Sequence, residues 1–326
     1  MVEHEQIKSI GGNVKGAPRK KPITKTTTSK SSDVVHLTHP DRLVFSEGYT
    51  KQDIADYYIA VMPRLLNAIR NRPLSIIRCP SGTSKGCFFQ KHTMPGLKHV
   101  RSVVLKEESG GKDTYLYVEN AAQVLELVQF NAIEFHPWAS TIDDTDITDY
   151  LVFDLDPGPD VAWKSVIAAA ELLRDRLLDS KLESFPRTSG GKGLHVVVPL
   201  RPAVAWPAAK EFAHEFAAAL ADERPHEFIA TASKAKRDGV IFIDYLRNSR
   251  GATSVASYSL RSRPGAPVAL PLSWDGLRKV KSASAFTLRN VPSVIKRQTR
   301  DPWLAFGTIR QSLPGKSRSV RRQAKR

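Results

Sequence analysis

Apolar residues recur along this chain with two periods, and the periods alternate. Ile54, Tyr57, Tyr58, Val61, Leu65 and Ile69 return every three or four positions, which places them on one face of a helix. Thr50, with Asp53 three residues later, reads as the capping box that starts it. Short β-type runs follow at "LSIIRC" (74–79), "SVVLK" (102–106) and "TYLYVE" (114–119), then a helical segment "AAQVLELVQF" (121–130) and a strand "IEFH" (133–136). The second half reads strand "YLVFDLD" (150–156), helix "AWKSVIAAAELLRDRLLD" (162–179), strand "LHVVVPL" (194–200), helix "PAAKEFAHEFAAALAD" (207–222) and strand "GVIFIDYL" (239–246). This alternation predicts an α/β fold with mixed β-sheets flanked by helices, and acids at strand ends.

Two of these strands carry acids where burial is expected. In an extended strand Val152, Asp154 and Asp156 share one face, while Phe153 and Leu155 take the other. At ~3.3 Å per residue the two aspartate Cα atoms stand about 6.6 Å apart, close enough for their carboxylates to bridge shared cations. Asp244 repeats the pattern, in phase with Phe242 and away from Ile241 and Ile243. A salt bridge or turn cap is the ordinary explanation of a single such Asp. Three oxygen donors without cysteine suit a hard cation, Mg²⁺ or Mn²⁺, used in phosphoryl chemistry.

"RTSGGKGLHVVVPL" places Gly190, Gly191 and Gly193 around Lys192 just before a strand, so backbone N–H groups and an ammonium can form an anion site. It is not a Walker loop, because no Ser or Thr follows the lysine and a strand rather than a helix comes next. His195 is out of phase with Leu194 and Val196, hence able to face the same cleft as the carboxylates. Lys234, Lys236, Arg237, Arg247, Arg250, Arg261 and Arg263 surround Asp244 in sequence. "KRDG" (236–239) resembles a ligase adenylation site only superficially: Ile241 stands where that pattern has Arg, and too little chain follows for a ligase core. In "CFFQKH" (87–92), expected to be a loop, at least one of Phe88 and Phe89 should be exposed and able to stack on a base.

Composition narrows the class. The 326 residues carry a net charge of +16, which calls for a polyanionic partner. Residues 1–33 contribute +4 from 7 basic and 3 acidic residues, and residues 313–326 contribute +6. Both segments read as flexible basic arms flanking a folded unit over 34–312. The N-terminus lacks the apolar core of a signal peptide and there is no long apolar run, so a cytoplasmic protein without a membrane span is expected. Cys79 and Cys87 are too few for a zinc site or an extracellular framework and are expected to be reduced.

The collinear series "THPDRLVF", "TKQDIADYY", "FFQKH", "EFHPW", "VFDLDPG", "SGGKGLHVVVP", "FIDYLRN" and "GATSVASYSLRSRPGAPVALPLSWDGL" is similar to the primase-polymerase domain of bacterial DNA ligase D, over about residues 36 to 306. The resemblance implies an archaeo-eukaryotic primase-type catalytic core with its active site in a cleft between sheets. It further implies a template-directed nucleotidyltransferase that uses NTPs or dNTPs, prefers ribonucleotides and Mn²⁺, and fills gaps in non-homologous end joining. Ku and the ligase and nuclease modules of ligase D would be its protein partners. Asp154, Asp156 and Asp244 would hold the metals. His136, Ser189, Lys192, His195 and Arg261 fall where the family binds the triphosphate, Phe88 and Phe89 where it stacks near the template base, and Arg237 in a loop that prepares the site.

Arg42 and Lys51 match positions that hold a downstream 5′-phosphate, although His39 and Arg42 stand where Asn and Lys are more usual. Lys51 follows the Thr50 cap, at a helix terminus whose open N–H groups and dipole favour an anion. Two rival readings remain at this level. "FDLDPG" resembles the start of haloacid-dehalogenase-type phosphatases, except that Pro157 and Gly158 follow, and a catalytically dead DNA-end-binding module would carry the same basic excess.

Overall fold

The capping box closes as the sequence predicts: Asp53 N donates to Thr50 Oγ1 at 3.2 Å, and Thr50 N donates to Asp53 Oδ2 at 2.7 Å. From it runs α1 (Lys51–Ile69), with Ile54, Tyr57, Tyr58, Val61, Leu65 and Ile69 all buried. The structure is a computed structural model that describes residues 36–107 and 110–315. The arm expected over 1–33 and residues 316–326 of the expected tail lie outside the described residues, and the described ones fall within one compact unit.

Two sheets form. In the first, β1 (Leu74–Arg78) pairs along one edge with β5 (Ala132–Pro137) and along the other with β2 (Phe88–Gln90) and β4 (Lys112–Tyr117); β3 (Arg101–Lys106) lies outside β4. α2 (Ala121–Gln129) packs beside α1 and β5. The second sheet has the order β7 (Phe185–Thr188), β8 (Leu194–Ala205), β6 (Ile147–Pro157), β10 (Ile241–Asp244), β9 (Phe228–Ile229), antiparallel except for the last pair. α3 (Trp163–Asp179) and α4 (Trp206–Glu223) cover one face of it, burying Val166, Ala170, Leu173 and Leu177 from α3 and Ala209, Ala213, Ala217 and Leu220 from α4. Phe153 of β6 meets Phe216 of α4 there, with ring centroids 5.0 Å apart. The helices thus take the Phe153/Leu155 face, and the Asp154/Asp156 face is left for other use.

Beyond the expected elements, the chain forms β2, β7 and β9 and two short helices, α5 (Trp274–Leu277) and α6 (Val291–Arg297). The expected loop at "CFFQKH" is therefore partly a strand, and it corrects the cysteine reading. β1 and β2 pair with Ile76 opposite Gln90, Ile77 opposite Phe89 and Arg78 opposite Phe88. Carried one step further, that register sets Cys79 against Cys87, and the two form a disulfide with a Cα–Cα distance of 4.3 Å. No helix among the described residues is long and apolar enough to cross a membrane.

Candidate active site

Four polar side chains line up across the second sheet. The ladders set Arg187 of β7 beside His195 of β8, His195 beside Asp154 of β6, and Asp154 beside Asp244 of β10. Directly opposed residues share a face, so the row points away from α3 and α4. Arg187 Nη2 lies 2.7 Å from His195 Nδ1, and His195 Nε2 lies 3.4 Å from Asp154 Oδ1. Arg247, in the turn after β10, stands 3.2 Å from Asp244 Oδ2 and 3.9 Å from Asp154 Oδ2.

Asp156 is opposite Phe242, with Arg237 Nη1 3.5 Å from its Oδ2. The "PG" that ends β6 makes this possible. A Cβ on Gly158 would lie 1.7 Å from Arg237 O, so only glycine lets the 237–240 loop cross the strand end. Gly193 plays the same part at the start of β8, where a Cβ would stand 2.3 Å from Leu155 O.

These carboxylates do not titrate alike. Burial, and then the neighbouring Asp154 charge, raise Asp156 above the ordinary value despite Arg237. Burial raises Asp244 too, with Arg247 opposing and Asp154 reinforcing. For Asp154, burial acts upward but is outweighed by His195, Arg247 and Arg261, and the net shift is downward. His195 itself is pushed down, chiefly by burial. Three oxygen donors, two of them resisting ionisation beside a like charge, fit a hard divalent cation that would relieve the repulsion.

The glycine loop closes on itself. Ser189 Oγ accepts from Gly191 N and Gly193 N, each at 3.2 Å, and donates to Gly193 O at 2.9 Å. Two amides expected to face an anion are thereby spent, and Lys192 is the exposed donor that remains at the tip. Arg261 braces the loop from outside, Nη1 donating to Ser189 O at 2.5 Å while Nε stands 2.7 Å from Glu134 Oε2.

The first sheet supplies the opposite wall. Glu134 and His136 alternate along β5 on one face, with His136 Nε2 2.9 Å from Glu134 Oε2. Ser262 N donates to Glu134 Oε1 at 2.7 Å. Burial would raise the Glu134 pKa, but the hydrogen bond from His136, the Arg261 charge and Ser262 outweigh it and hold it at about 2. Phe89 and Phe88 are both half exposed on β2. Phe89 meets the His136 ring edge-on at 5.7 Å, and Phe88 lies 5.4 Å from the Arg78 guanidinium.

The walls enclose a cleft of about 640 Å³, lined by Phe89, His136, Asp154, Asp156, Ser189, Lys192, His195 and Arg261 among the expected residues. Asp244 and Arg237 are not among the lining residues: Asp244 pairs with Arg247, and Arg237 with Asp156. Arg42 and Lys51 are elsewhere. Lys51 is buried, its Nζ donating to Gln129 Oε1 at 2.8 Å and Thr38 O at 3.1 Å, and burial aided by the Arg42 charge lowers its pKa to about 8. The first-turn amides of α1 are also occupied: Lys51 N bonds Arg42 O, Gln52 N bonds Pro40 O and Asp53 N bonds Thr50 Oγ1. The expectation of open N–H groups at this terminus is therefore corrected. Among the described residues, His92, Glu107 and Asp113 also bring possible ligand atoms within 4.8 Å of one another, and none of them lines the cleft.

Sequence reasoning passed over Glu134 and Arg187. Both had a signal: Glu134 is two residues from His136 in a β-type run, and Arg187 opens the glycine loop.

Paired carboxylates and a cationic glycine loop thus face one cleft. Residues 50–303 match the family described as "LigD, primase-polymerase domain", and the chain belongs to that family. The multifunctional non-homologous end joining protein LigD of Pseudomonas aeruginosa is 35% identical over 295 residues, which cover 89% of this chain and 34% of that protein. The LigD of Mycolicibacterium smegmatis is 32% identical over 247 residues, covering 74% of this chain and 32% of its own length. The chain thus spans about a third of these relatives. The polymerase domain of Mycobacterium tuberculosis ligase D, solved in complex with DNA, superposes with a TM-score of 0.77 at 30% identity, covering 86% of this chain and 99% of that one. Membership of this family removes the phosphatase reading of "FDLDPG".

Proposed function

We propose that this protein adds nucleotides to a DNA 3′ end opposite a template, filling gaps and extending broken ends during non-homologous end joining. The observation that carries the reading is the Asp244–Asp154 pair with Asp156, set on the sheet face that fronts the cleft lined by Lys192 and Arg261. The substrate is an NTP or dNTP, ribonucleotides preferred. The primer 3′-oxygen attacks the α-phosphorus, the bond to the bridging oxygen breaks, and pyrophosphate leaves.

Asp154, Asp156 and Asp244 would hold two divalent ions, Mn²⁺ or Mg²⁺, which supply a lowered pKa at the attacking hydroxyl and charge neutralisation at the phosphates. Lys192, Arg261 and His195 hold the triphosphate, with His136 and the Ser189 loop shaping its bed. Phe89 and Phe88 offer ring faces to the template base. Arg237 and Arg247, now on the carboxylates, are placed to exchange them for phosphate oxygens as substrate binds. Arg42, exposed, would meet the downstream 5′-phosphate directly, and Lys51, buried beside it on Gln129 and Thr38 O, would add its charge. In the cell the protein would work in the cytoplasm on nucleoid DNA, with Ku and with ligase and nuclease modules.

Pyrophosphate release on gapped DNA, with ATP set against dATP, tests this. Template-dependent addition with ATP favoured is expected; phosphate release without extension, or DNA binding with no addition, would refute it.

A further inference from the structure

We infer that Arg187 is a positioning residue that fixes His195 as the Nε2–H tautomer, so that the imidazole presents a donor, not a lone pair, to the cleft. Arginine has five N–H donors and no acceptor. The 2.7 Å contact from Arg187 Nη2 to His195 Nδ1 therefore requires a lone pair on Nδ1, and a neutral imidazole then carries its proton on Nε2. That nitrogen faces Asp154 Oδ1 at 3.4 Å, where an N–H is attractive and a lone pair would be repelled.

The contact is built into the sheet. Arg187 and His195 are directly paired across β7 and β8, and they are 5% and 3% exposed. Arg187 Nη1 donates to Ser257 Oγ at 3.2 Å, and the guanidinium lies 5.8 Å from the Trp303 ring centre. Among the described residues no carboxylate makes an ion pair with Arg187; its nearest link to a negative charge runs through the imidazole to Asp154. A buried cation without a carboxylate is costly, so this site spends stability on orienting one ring.

The consequence rests on the proposed placement of His195 in the triphosphate site. A donor at Nε2 can serve a phosphate oxygen, whereas the other tautomer would set a lone pair against it.

Long-range ¹H–¹⁵N correlation spectra of the full chain read the tautomer directly, with the His195 signals assigned by their loss in His195→Gln. The parent should show Nε2–H. Arg187→Lys, which can also only donate, should keep it, and Arg187→Met should shift it toward Nδ1–H. On gapped DNA, Arg187→Met should raise the nucleotide KM about 10-fold or more, the scale of one charge-assisted hydrogen bond, with a smaller change in kcat, and Arg187→Lys should recover most of the loss. An Nδ1–H parent, or an Arg187→Met protein that retains Nε2–H, overturns the proposal; if Arg187→Met does not fold, Arg187→Gln, whose side-chain oxygen can accept from Nδ1–H, takes its place with the same two readings. A tautomer that moves without any change in KM upholds the role of Arg187 and overturns the placement of His195 against the triphosphate.

Discussion

Asp154 and Asp244 oppose each other across the β6–β10 ladder, and one guanidinium, that of Arg247, stands 3.9 Å and 3.2 Å from their carboxylates. The sheet therefore fixes two like charges side by side, with the Arg247 guanidinium within reach of both. Such an arrangement favours ligand binding over stability, because the folded chain holds carboxylates together that the unfolded chain would separate.

Asp244 is raised in the folded state, so the folded chain binds its proton more tightly than the unfolded chain, and stability falls as pH rises through the ordinary aspartate range and the raised value. Asp244→Asn should melt no lower than the parent at pH 7 without added metal. Asp154→Ala and Asp156→Ala should abolish nucleotide addition while leaving DNA affinity within a few fold. Mn²⁺ at about 100 times its Kd should stabilise the parent by roughly 2.7 kcal/mol and the aspartate variants by much less. Thermal melts with and without metal check this, and near-parental addition by either alanine variant refutes the metal assignment.

Glu134 shows the opposite sign. Its pKa falls from 4.5 to about 2, so its stabilising contribution is complete above the unfolded value and is lost as pH falls toward 2. Glu134→Gln should cost about 3 kcal/mol at pH 7, the linkage value of a shift of this size in a buried group. The difference from the parent should narrow between pH 5 and pH 3 in urea melts. A constant difference over that range would show that the loss comes from packing rather than charge.

The strand faces were legible in the sequence, and the cross-strand neighbours were not. Alternation alone sets Asp154 and Asp156 apart from Phe153 and Leu155, and His195 apart from Leu194 and Val196, since a strand's phase is a local property. The row that joins Arg187, His195, Asp154 and Asp244 depends on registers between segments up to 90 residues apart, which alternation does not encode. Glu134 escaped because its partners, Arg261 and Ser262, arrive from a distant segment. The pairing of Cys79 with Cys87 escaped for a nearer reason: cysteine counting ignored the hairpin that sets the two opposite each other.

Lys192 and Arg261 should separate into two kinds of cation. Both are expected to weaken nucleotide binding by about 10–150-fold when changed to alanine, the range of a lost charge-assisted contact. Lys192 is exposed, so Lys192→Ala should leave the melting temperature unchanged. Arg261→Ala strips a partner from buried Glu134 and should lower it as well. Nucleotide titrations paired with melts would reveal the contrast, and loss of DNA affinity alone would misplace both residues.

The hairpin disulfide closes a loop with a sequence separation of 8, for which chain-entropy reasoning gives about 2–3 kcal/mol. Because β2 carries Phe88 and Phe89, reduction should loosen the ring platform before the rest of the fold. Hydrogen exchange of residues 76–90 with and without reductant should show the change confined to β1 and β2, and uniform protection in both states would contradict it.

At the proposed 5′-phosphate site the two cations have different settings. Arg42 is exposed, and its charge reaches Lys51 strongly enough to help lower that group's pKa. Lys51 is buried and holds Gln129 and Thr38 O, so Lys51→Ala would leave acceptors unpaired and cost about 1–3 kcal/mol of stability whatever it does to DNA. Arg42→Ala is the cleaner probe. The parent should bind a gap with a 5′-phosphate more tightly than the same gap with a 5′-hydroxyl, and Arg42→Ala should shrink that difference without a change in melting temperature. The preference should also decline with salt, because each phosphate contact by a cation releases condensed counterions. Since the α1 amides are already bonded within the chain, the two side chains must supply the attraction alone, and the Arg42→Ala, Lys51→Ala double variant should erase it. Titrations on the two duplexes at two salt concentrations decide the matter: equal affinity of the parent for both ends would remove the site, and a preference that survives the double variant would move it elsewhere.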